Sequence, residues 1–242
     1  QKNKPLSLNG TLRDITEQKK EEQRKDDFMG MVSHELKTPI TSLKIYLQIL
    51  QQTALKDQNE FQQNILTKSL KQVDNMTGMI NGFLNVSRLE SGQLHLDQTV
   101  FDIQTLFAEL EDEMKSTVTT HHFHFKPSQS IMILADREKI SQVLHNLIGN
   151  AVKYAPNDSV INVAYYINEN KMLKVTVEDY GKGISKEDQK RIFERYYRVN
   201  DNISASIAGF GIGLYLSKEI VELHQGTIEV QSSPEKSTVF SF

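Results

Sequence analysis

The chain has 242 residues, a length that allows one or two domains. Lys and Arg number 28 against 31 Asp and Glu, a formal charge of −3 that gives no general reason to expect nucleic acid or anionic lipid as a partner. The absence of cysteine excludes disulfides, thiolate zinc sites and a cysteine nucleophile, and no apolar run approaches the roughly 18 residues a membrane helix needs.

No signal peptide is visible. The first residue is Gln1, not Met, as expected of an excised fragment, and an upstream membrane anchor stays open. The polar stretch from Thr16 to Asp27 contains good helix formers but no apolar residue. Such a segment is not a stable helix alone, so it is expected as a solvated connector or as a helix held by its neighbours. Phe28, Val32, Leu36, Leu43, Leu47 and Leu50 then fall on one helical face. A second apolar series runs through Phe61, Ile65, Leu66, Leu70, Val73, Met76, Ile80, Phe83 and Leu84. Two long helices with a short connection predict an antiparallel hairpin. Its apolar stripe asks for cover, and a homodimer forming a four-helix bundle would supply it.

After Glu90-Ser91-Gly92 the pattern changes. Phe101 to Met114 reads as a helix, and Thr120 to Phe125 and Ser130 to Leu134 read as strands. Arg137 to Lys153 reads as a helix capped by Asp136. Val160 to Ile167 and Met172 to Glu178 read as strands around Asn168-Glu169-Asn170. Helices are expected over Lys186 to Tyr197 and Gly213 to His224, and strands over Thr227 to Gln231 and Thr238 to Phe242. Mixed elements without strict βαβ alternation favour an α+β sandwich.

His34 lies about 180° from the apolar stripe, facing solvent. Taken alone it is an ordinary surface histidine. Its company is different: Glu35 is adjacent, Thr38 is one turn on, and Pro39 follows inside the helix, where it removes a hydrogen bond and bends the axis. Neutral imidazole is a good nucleophile. A neighbouring carboxylate such as Glu35 can orient the ring and accept its second proton. His121, His122 and His124 suggest a metal site only weakly; alternation puts His122 and His124 on one face of an ordinary strand.

No G-x-x-x-x-G-K-[ST] occurs, which disfavours a P-loop NTPase, and the protein-kinase loop set is missing. Three polar clusters follow in order instead. Asn146 and Asn150 share a helical face, roughly with Lys153. Asparagine carbonyls can ligate Mg²⁺ and lysine can neutralise phosphate. Asp179-Tyr180-Gly181-Lys182-Gly183 follows an apolar strand. A carboxylate there can accept a hydrogen bond from an adenine amino group, and the glycines admit a flat base. Gly209, Gly211 and Gly213 then lead into a helix whose free amides favour phosphate. Between the last two clusters, Arg195 to Arg198 and the polar run Asn200 to Ser206 suggest a mobile lid.

The ordered motifs resemble the sensor histidine kinases of two-component signalling, from about Asp26 to Phe242. Ser33-His34-Glu35-Leu36-Lys37-Thr38-Pro39 matches the phosphoacceptor motif, and the asparagine, Asp-x-Gly-x-Gly, Phe193-centred and glycine-loop boxes follow with family-like spacing. Gly10 to Lys19 resembles the end of a PAS-type sensor domain running into a signalling helix. The resemblance implies two domains: an all-α antiparallel helical hairpin, forming a four-helix bundle as a dimer, then an α+β sandwich that binds ATP. The boundaries expected are 1–25 for the signalling helix, 26–92 for dimerisation and phosphotransfer, and 93–242 for ATP binding. It implies an ATP-dependent protein-histidine kinase that phosphorylates His34 and passes the group to an aspartate of a response regulator. Glu35 would serve as general base and Thr38 in dephosphorylating the regulator. Asn150 would ligate Mg²⁺, with Asn146 and Lys153 near the phosphates. Tyr154 would line the adenine pocket and Asp179 bind the adenine amino group, beside Gly181 and Gly183. Arg198 would reach the phosphates, and Gly209, Gly211 and Gly213 would wrap them. A cytoplasmic location is implied for this part of the protein. The family's usual Gly-x-Gly-Thr turn is replaced by Pro234-Glu235-Lys236-Ser237-Thr238.

Two other classes compete. A gyrase-like or mismatch-repair-like ATPase would hydrolyse ATP without phosphohistidine, which an exposed His34 on a hairpin argues against. A non-catalytic scaffold is disfavoured by the intact nucleotide boxes, whereas a protein acting mainly as a phosphatase remains compatible with them.

Overall fold

The described residues of this computed structural model are 16–56, 59–90, 95–126, 129–199, 211–233 and 236–242. The chain divides into two compact units, with the boundary between Gln93 and Leu94.

The first unit is a helical hairpin. Helix α1 spans Thr16–Lys56 and contains Pro39; α2 spans Glu60–Glu90. The polar Thr16 to Asp27 stretch is thus helical, as the start of a much longer element. Lys44 Nζ pairs with Asp74 at 2.8 Å, Gln51 Nε2 donates to Thr67 Oγ1 at 3.3 Å, and Gln63 Nε2 donates to the Ala54 carbonyl at 3.1 Å. Partners on α2 move back in sequence as those on α1 advance, which is the signature of antiparallel packing. Ala54, Val73 and Leu84 are buried.

The second unit opens with β1 (Thr99–Asp102) and α3 (Ile103–Thr117). Strands β2 (His122–Phe125) and β3 (Met132–Ala135) precede α4 (Arg137–Tyr154). The hairpin β4 (Val160–Ile167) and β5 (Leu173–Asp179) leads to a short α5 (Lys186–Gln189). Helix α6 (Gly213–Leu223) and strands β6 (Glu229–Ser233) and β7 (Ser237–Ser241) finish the unit. Five strands form a mixed sheet in the order β2-β4-β5-β7-β6, with β2 and β4 parallel and the other neighbours antiparallel. Strands β1 and β3 pair separately.

Alternation builds the core. Ile161, Val163 and Tyr165 of β4 and Val175 and Val177 of β5 are buried, as period-2 geometry requires for a strand with one covered face. They meet Ile103, Leu106, Phe107 and Leu110 of α3 and Leu144, Leu147 and Ile148 of α4, all buried. Phe107 stacks edge-on against Tyr165, with centroids 4.5 Å apart.

Three expected boundaries are corrected. Phe101 and Asp102 belong to β1, not to a helix, because β1 pairs with β3 residue by residue from Thr99↔Ala135 to Asp102↔Met132. Asp102 instead caps α3, accepting from the Gln104 amide at 2.9 Å. The helix expected over Lys186 to Tyr197 stops at Gln189. Tyr196 adopts φ +62°, which no right-handed helix allows. Tyr197 folds back to donate to Asp188 Oδ1 at 2.6 Å, with Arg191 over its ring at 4.2 Å. Strand β2 starts later than Thr120 because His121 turns inward: it is buried and bonded to Thr120 Oγ1 at 2.9 Å. His122 and His124 are exposed, and no cluster of His, Cys, Asp or Glu suited to a metal occurs among the described residues.

Candidate nucleotide site

Asp179 is built by register. It continues the inward series Val175, Val177 to the last position of β5 and is buried. A carboxylate has been put where the strand pattern asks for an apolar side chain. Burial is the dominant effect and pushes its pKa up to about 6, opposed by a hydrogen bond from the Gly181 amide and reinforced by the charge of Glu178. That Gly181 amide donates to Asp179 Oδ1 at 2.8 Å.

Gly181 allows the closest approach in the site. A β-carbon there would stand 2.7 Å from the Tyr154 carbonyl oxygen and 2.9 Å from Asp179 Oδ1, well inside contact distance. The turn after β5 can therefore press against the end of α4 only without a side chain. Lys182 Nζ lies 5.9 Å from the centre of the Tyr154 ring. Gly183 follows with φ +79°. The turn is held from behind: Ser232 Oγ accepts from the Ile184 amide at 2.9 Å, and Gln189 Nε2 bridges the carbonyls of Ile184 and Ser232.

Helix α4 carries Asn146, Asn150, Lys153 and Tyr154. Asp136 starts it, accepting from the Lys139 amide at 3.1 Å and the Asp97 amide at 3.0 Å. Burial would raise its carboxyl, but these backbone bonds outweigh it and hold the pKa below the usual carboxylate value. Asn146 and Asn150 are half-buried. Lys153 is exposed, yet protein packed about its head group lowers its pKa from the ordinary lysine value.

Helix α6 begins at Gly213 with Ile212 at the cap position, where no side chain caps the helix. A helix start carries partial positive charge and favours an acceptor. Asn146 lies directly against this end. Gly211 has φ +67°, and its carbonyl accepts from the Tyr196 amide at 2.8 Å. A β-carbon at Gly211 would meet the backbone of Tyr196 and Tyr197 at 2.6 Å. Arg198 is exposed.

The structure therefore lines Asn146, at mid-helix, and Tyr154, at the end, along α4, with Gly213 at the start of α6 against the first and Asp179 and Gly181 after β5 against the second, while Gly211 packs on Tyr196 and Tyr197. Gly209 and the run Asn200 to Ser206 lie outside the described residues, as do Ser91-Gly92 and Gly10 to Asp14. In the first unit, Glu35 and Thr38 are exposed on α1. His34 lies on the same helix, and its side chain is outside the described residues. Sequence reasoning named Lys182 and Tyr196 only as members of a cluster and a lid, and missed Ser217 altogether. Ser217 carried a signal: it lies one helical turn after Gly213 and shares its face.

Known families match these two units in the same order. Residues 24–92 match the His Kinase A (phospho-acceptor) domain. Residues 135–242 match the histidine kinase-, DNA gyrase B- and HSP90-like ATPase domain. This chain belongs to the sensor histidine kinases. It is 31% identical over 238 residues to the sensor histidine kinase WalK of Bacillus subtilis, covering 97% of this chain and 39% of that protein. The sensor protein kinase WalK of Staphylococcus aureus strain MRSA252 is 31% identical over 231 residues, covering 94% and 38%. The chain thus spans about two fifths of the length of these relatives. Among solved structures, full-length ShkA in complex with AMPPNP aligns with a TM-score of 0.65 at 21% identity, over 89% of this chain and 45% of that one, a likeness of fold. The phosphoacceptor match separates this sensor histidine kinase from the gyrase-like ATPases that share its second domain. No helix among the described residues is long and apolar enough to cross a membrane.

Proposed function

We propose that this chain is an ATP-dependent protein-histidine kinase. His34 attacks the γ-phosphorus of ATP, the bond to the β–γ bridging oxygen breaks, and ADP leaves. Glu35 takes the second imidazole proton as the new P–N bond forms. The phosphoryl group then passes from His34 to an aspartate of a response-regulator receiver domain. The observation that most supports this reading is the meeting of Asp179, the side-chain-free Gly181 and the glycine start of α6 around α4.

Each group has a physical task. Ionised Asp179 accepts from the adenine amino group, and Tyr154 flanks the base. The α6 amides, Lys153 and Arg198 meet the phosphates, and Gly209, Gly211 and Gly213 let the backbone wrap them. Mg²⁺ fits the donor set: Asn150 and Asn146 offer neutral oxygens, and the nucleotide's phosphates would complete the shell. When bound, the ion neutralises phosphate charge during transfer.

In this reading residues 1–25 form a signalling helix, 26–92 a dimerisation and phosphotransfer domain, and 93–242 the ATP-binding domain. The partners are a second copy, a response regulator and an upstream sensor in the longer protein, with this part in the cytoplasm. Incubation with γ-labelled ATP and Mg²⁺ should give an acid-labile label on the chain. His34→Gln should abolish the label and leave ATP affinity within about threefold, since the nucleotide residues sit in the other domain. Undiminished labelling of that variant overturns the phosphoacceptor assignment.

A further inference from the structure

Ser217 is a buried hydroxyl on the inner face of α6, 2% exposed. Buried polar groups need partners, and this one has Asn146: Nδ2 of Asn146 donates to Ser217 Oγ at 2.9 Å. Ser217 anchors one end of the amide, and the positive start of α6 draws the other, so the two together set which way it points. With the NH₂ group held by Ser217, the carbonyl oxygen faces the first turn of α6. It would lie 2.3 Å from a β-carbon at Gly213, so Gly213 leaves room for that oxygen. The helix start is also the place for an acceptor. Its amides carry partial positive charge and lack a side-chain cap, so a carbonyl oxygen is welcome there and an NH₂ group is not.

We propose that Ser217 is a positioning residue, which orients the Asn146 amide so that its carbonyl oxygen faces the nucleotide end of α6 as an acceptor for the cation that accompanies the phosphates. This rests on the ATP-site reading above and adds a residue to it. An unheld amide rotates between two states at little cost, and in one of them it presents hydrogens to Mg²⁺. Ser217 Oγ holds the NH₂ group of the other state, and the α6 dipoles disfavour the flipped one, before nucleotide arrives.

The test compares ATP affinity with Mg²⁺ and with EDTA by titration calorimetry. The parent chain should bind ATP more tightly with Mg²⁺. Ser217→Ala should lose about tenfold of that gain, while affinity in EDTA stays within about twofold. Ser217→Thr, which keeps the hydroxyl, should retain the gain within about threefold. In an Asn146→Asp background the two oxygens are equivalent and orientation no longer matters, so Ser217→Ala should there change the gain by less than about twofold. A full Mg²⁺ gain in Ser217→Ala overturns the inference, as does an equal loss with and without metal, which marks a merely structural hydroxyl. An equal loss of the gain in both backgrounds overturns it too. A parent that binds ATP without any Mg²⁺ gain overturns the metal reading and this inference with it, whereas a parent that binds no ATP overturns the proposed function itself.

Discussion

Asp179 shows stability traded against binding at one residue. Its pKa of about 6 stands above the ordinary aspartate value of 3.8 because burial disfavours the charged form. The folded state therefore holds the proton more tightly than the unfolded chain. The contribution to stability is greatest below about pH 3.8 and falls as pH rises toward 6, the reverse of a salt-bridged carboxylate. At neutral pH the ionised group costs the fold on the order of 2–3 kcal/mol. Asp179→Asn removes that charge and should raise the melting temperature of the nucleotide-free chain by several degrees. The same change should weaken ATP binding by about tenfold or more, because an amide is a poorer acceptor for the adenine amino group. Parent affinity should also fall as pH drops through 6, with a smaller change in the variant, which serves to subtract the titration of ATP itself. A variant that melts lower, or keeps parental affinity and pH profile, contradicts this placement. Thr38 poses a different question. It lies one turn beyond His34 on α1 and is exposed. In the proposed function its hydroxyl would orient a water that attacks a regulator's phospho-aspartate. Thr38→Ala should cut dephosphorylation of a purified phospho-regulator about tenfold while sparing most labelling of His34. Equal loss of both rates would reduce Thr38 to a helix support beside Pro39.

At the scale of elements, α4 and α6 are fastened at two places. Toward the start of α6 Asn146 binds Ser217. At the other end His224, the C-cap of α6, accepts from the Asp136 amide through Nε2 at 3.0 Å and bonds the Ile220 carbonyl through Nδ1 at 2.8 Å. An amide only donates and a carbonyl only accepts, so the ring is the neutral Nδ1–H tautomer. His224→Phe strands the Asp136 amide and should cost about 1–3 kcal/mol, read as a fall in melting temperature; His224→Gln, which keeps an acceptor, should lose less. No difference between the two variants would assign the effect to packing alone. This fastening was invisible in the sequence because its partners lie far apart along the chain. Local signals fared better: Asp136 before Arg137 marked the start of α4, and alternating Val160 to Ile167 matched β4. Strand β1 was missed because Phe101 takes its conformation from pairing with Ile133, a distant partner that outweighs local helix preference. Helix α5 was drawn too long because the Asp188–Tyr197 bond and the left-handed Tyr196 are tertiary facts. In the site, motif residues were legible since their chemistry is carried by residue type. Ser217 was harder to see, because only the packing of α6 on α4 shows why a hydroxyl belongs there.

At the scale of the whole molecule, the two units differ in how far they satisfy themselves. The second has a closed core under its sheet. The hairpin leaves Leu36, Phe61, Ile65 and Phe83 at 43%, 75%, 48% and 48% exposed. Near Phe83 it has a shallow, open apolar groove of about 180 Å³ lined by Val32, Leu36, Met79, Ile80, Phe83 and Leu84. Two helices can cover each other on one side only, so a contiguous apolar face remains. Contiguous exposed apolar patches of a few hundred Å² or more mark contact surfaces, and a stable interface needs roughly 800 Å² from each partner. A second hairpin related by a two-fold axis presents the same face and closes both at once. The chain should therefore be a dimer at micromolar concentration in sedimentation equilibrium. Phe83→Glu places a charge on this half-exposed apolar face, where covering it unpaired under a second copy costs several kcal/mol, and should shift the chain to monomer with loss of helix signal. Ile167→Glu alters an equally ordinary exposed residue of the second unit and should leave the dimer intact. ATP affinity should stay within about twofold in both variants, because no proposed nucleotide contact lies in the hairpin. A monomeric parent, or a Phe83→Glu chain that remains dimeric with unchanged helicity, would mean that the hairpin face is covered by something other than a second copy.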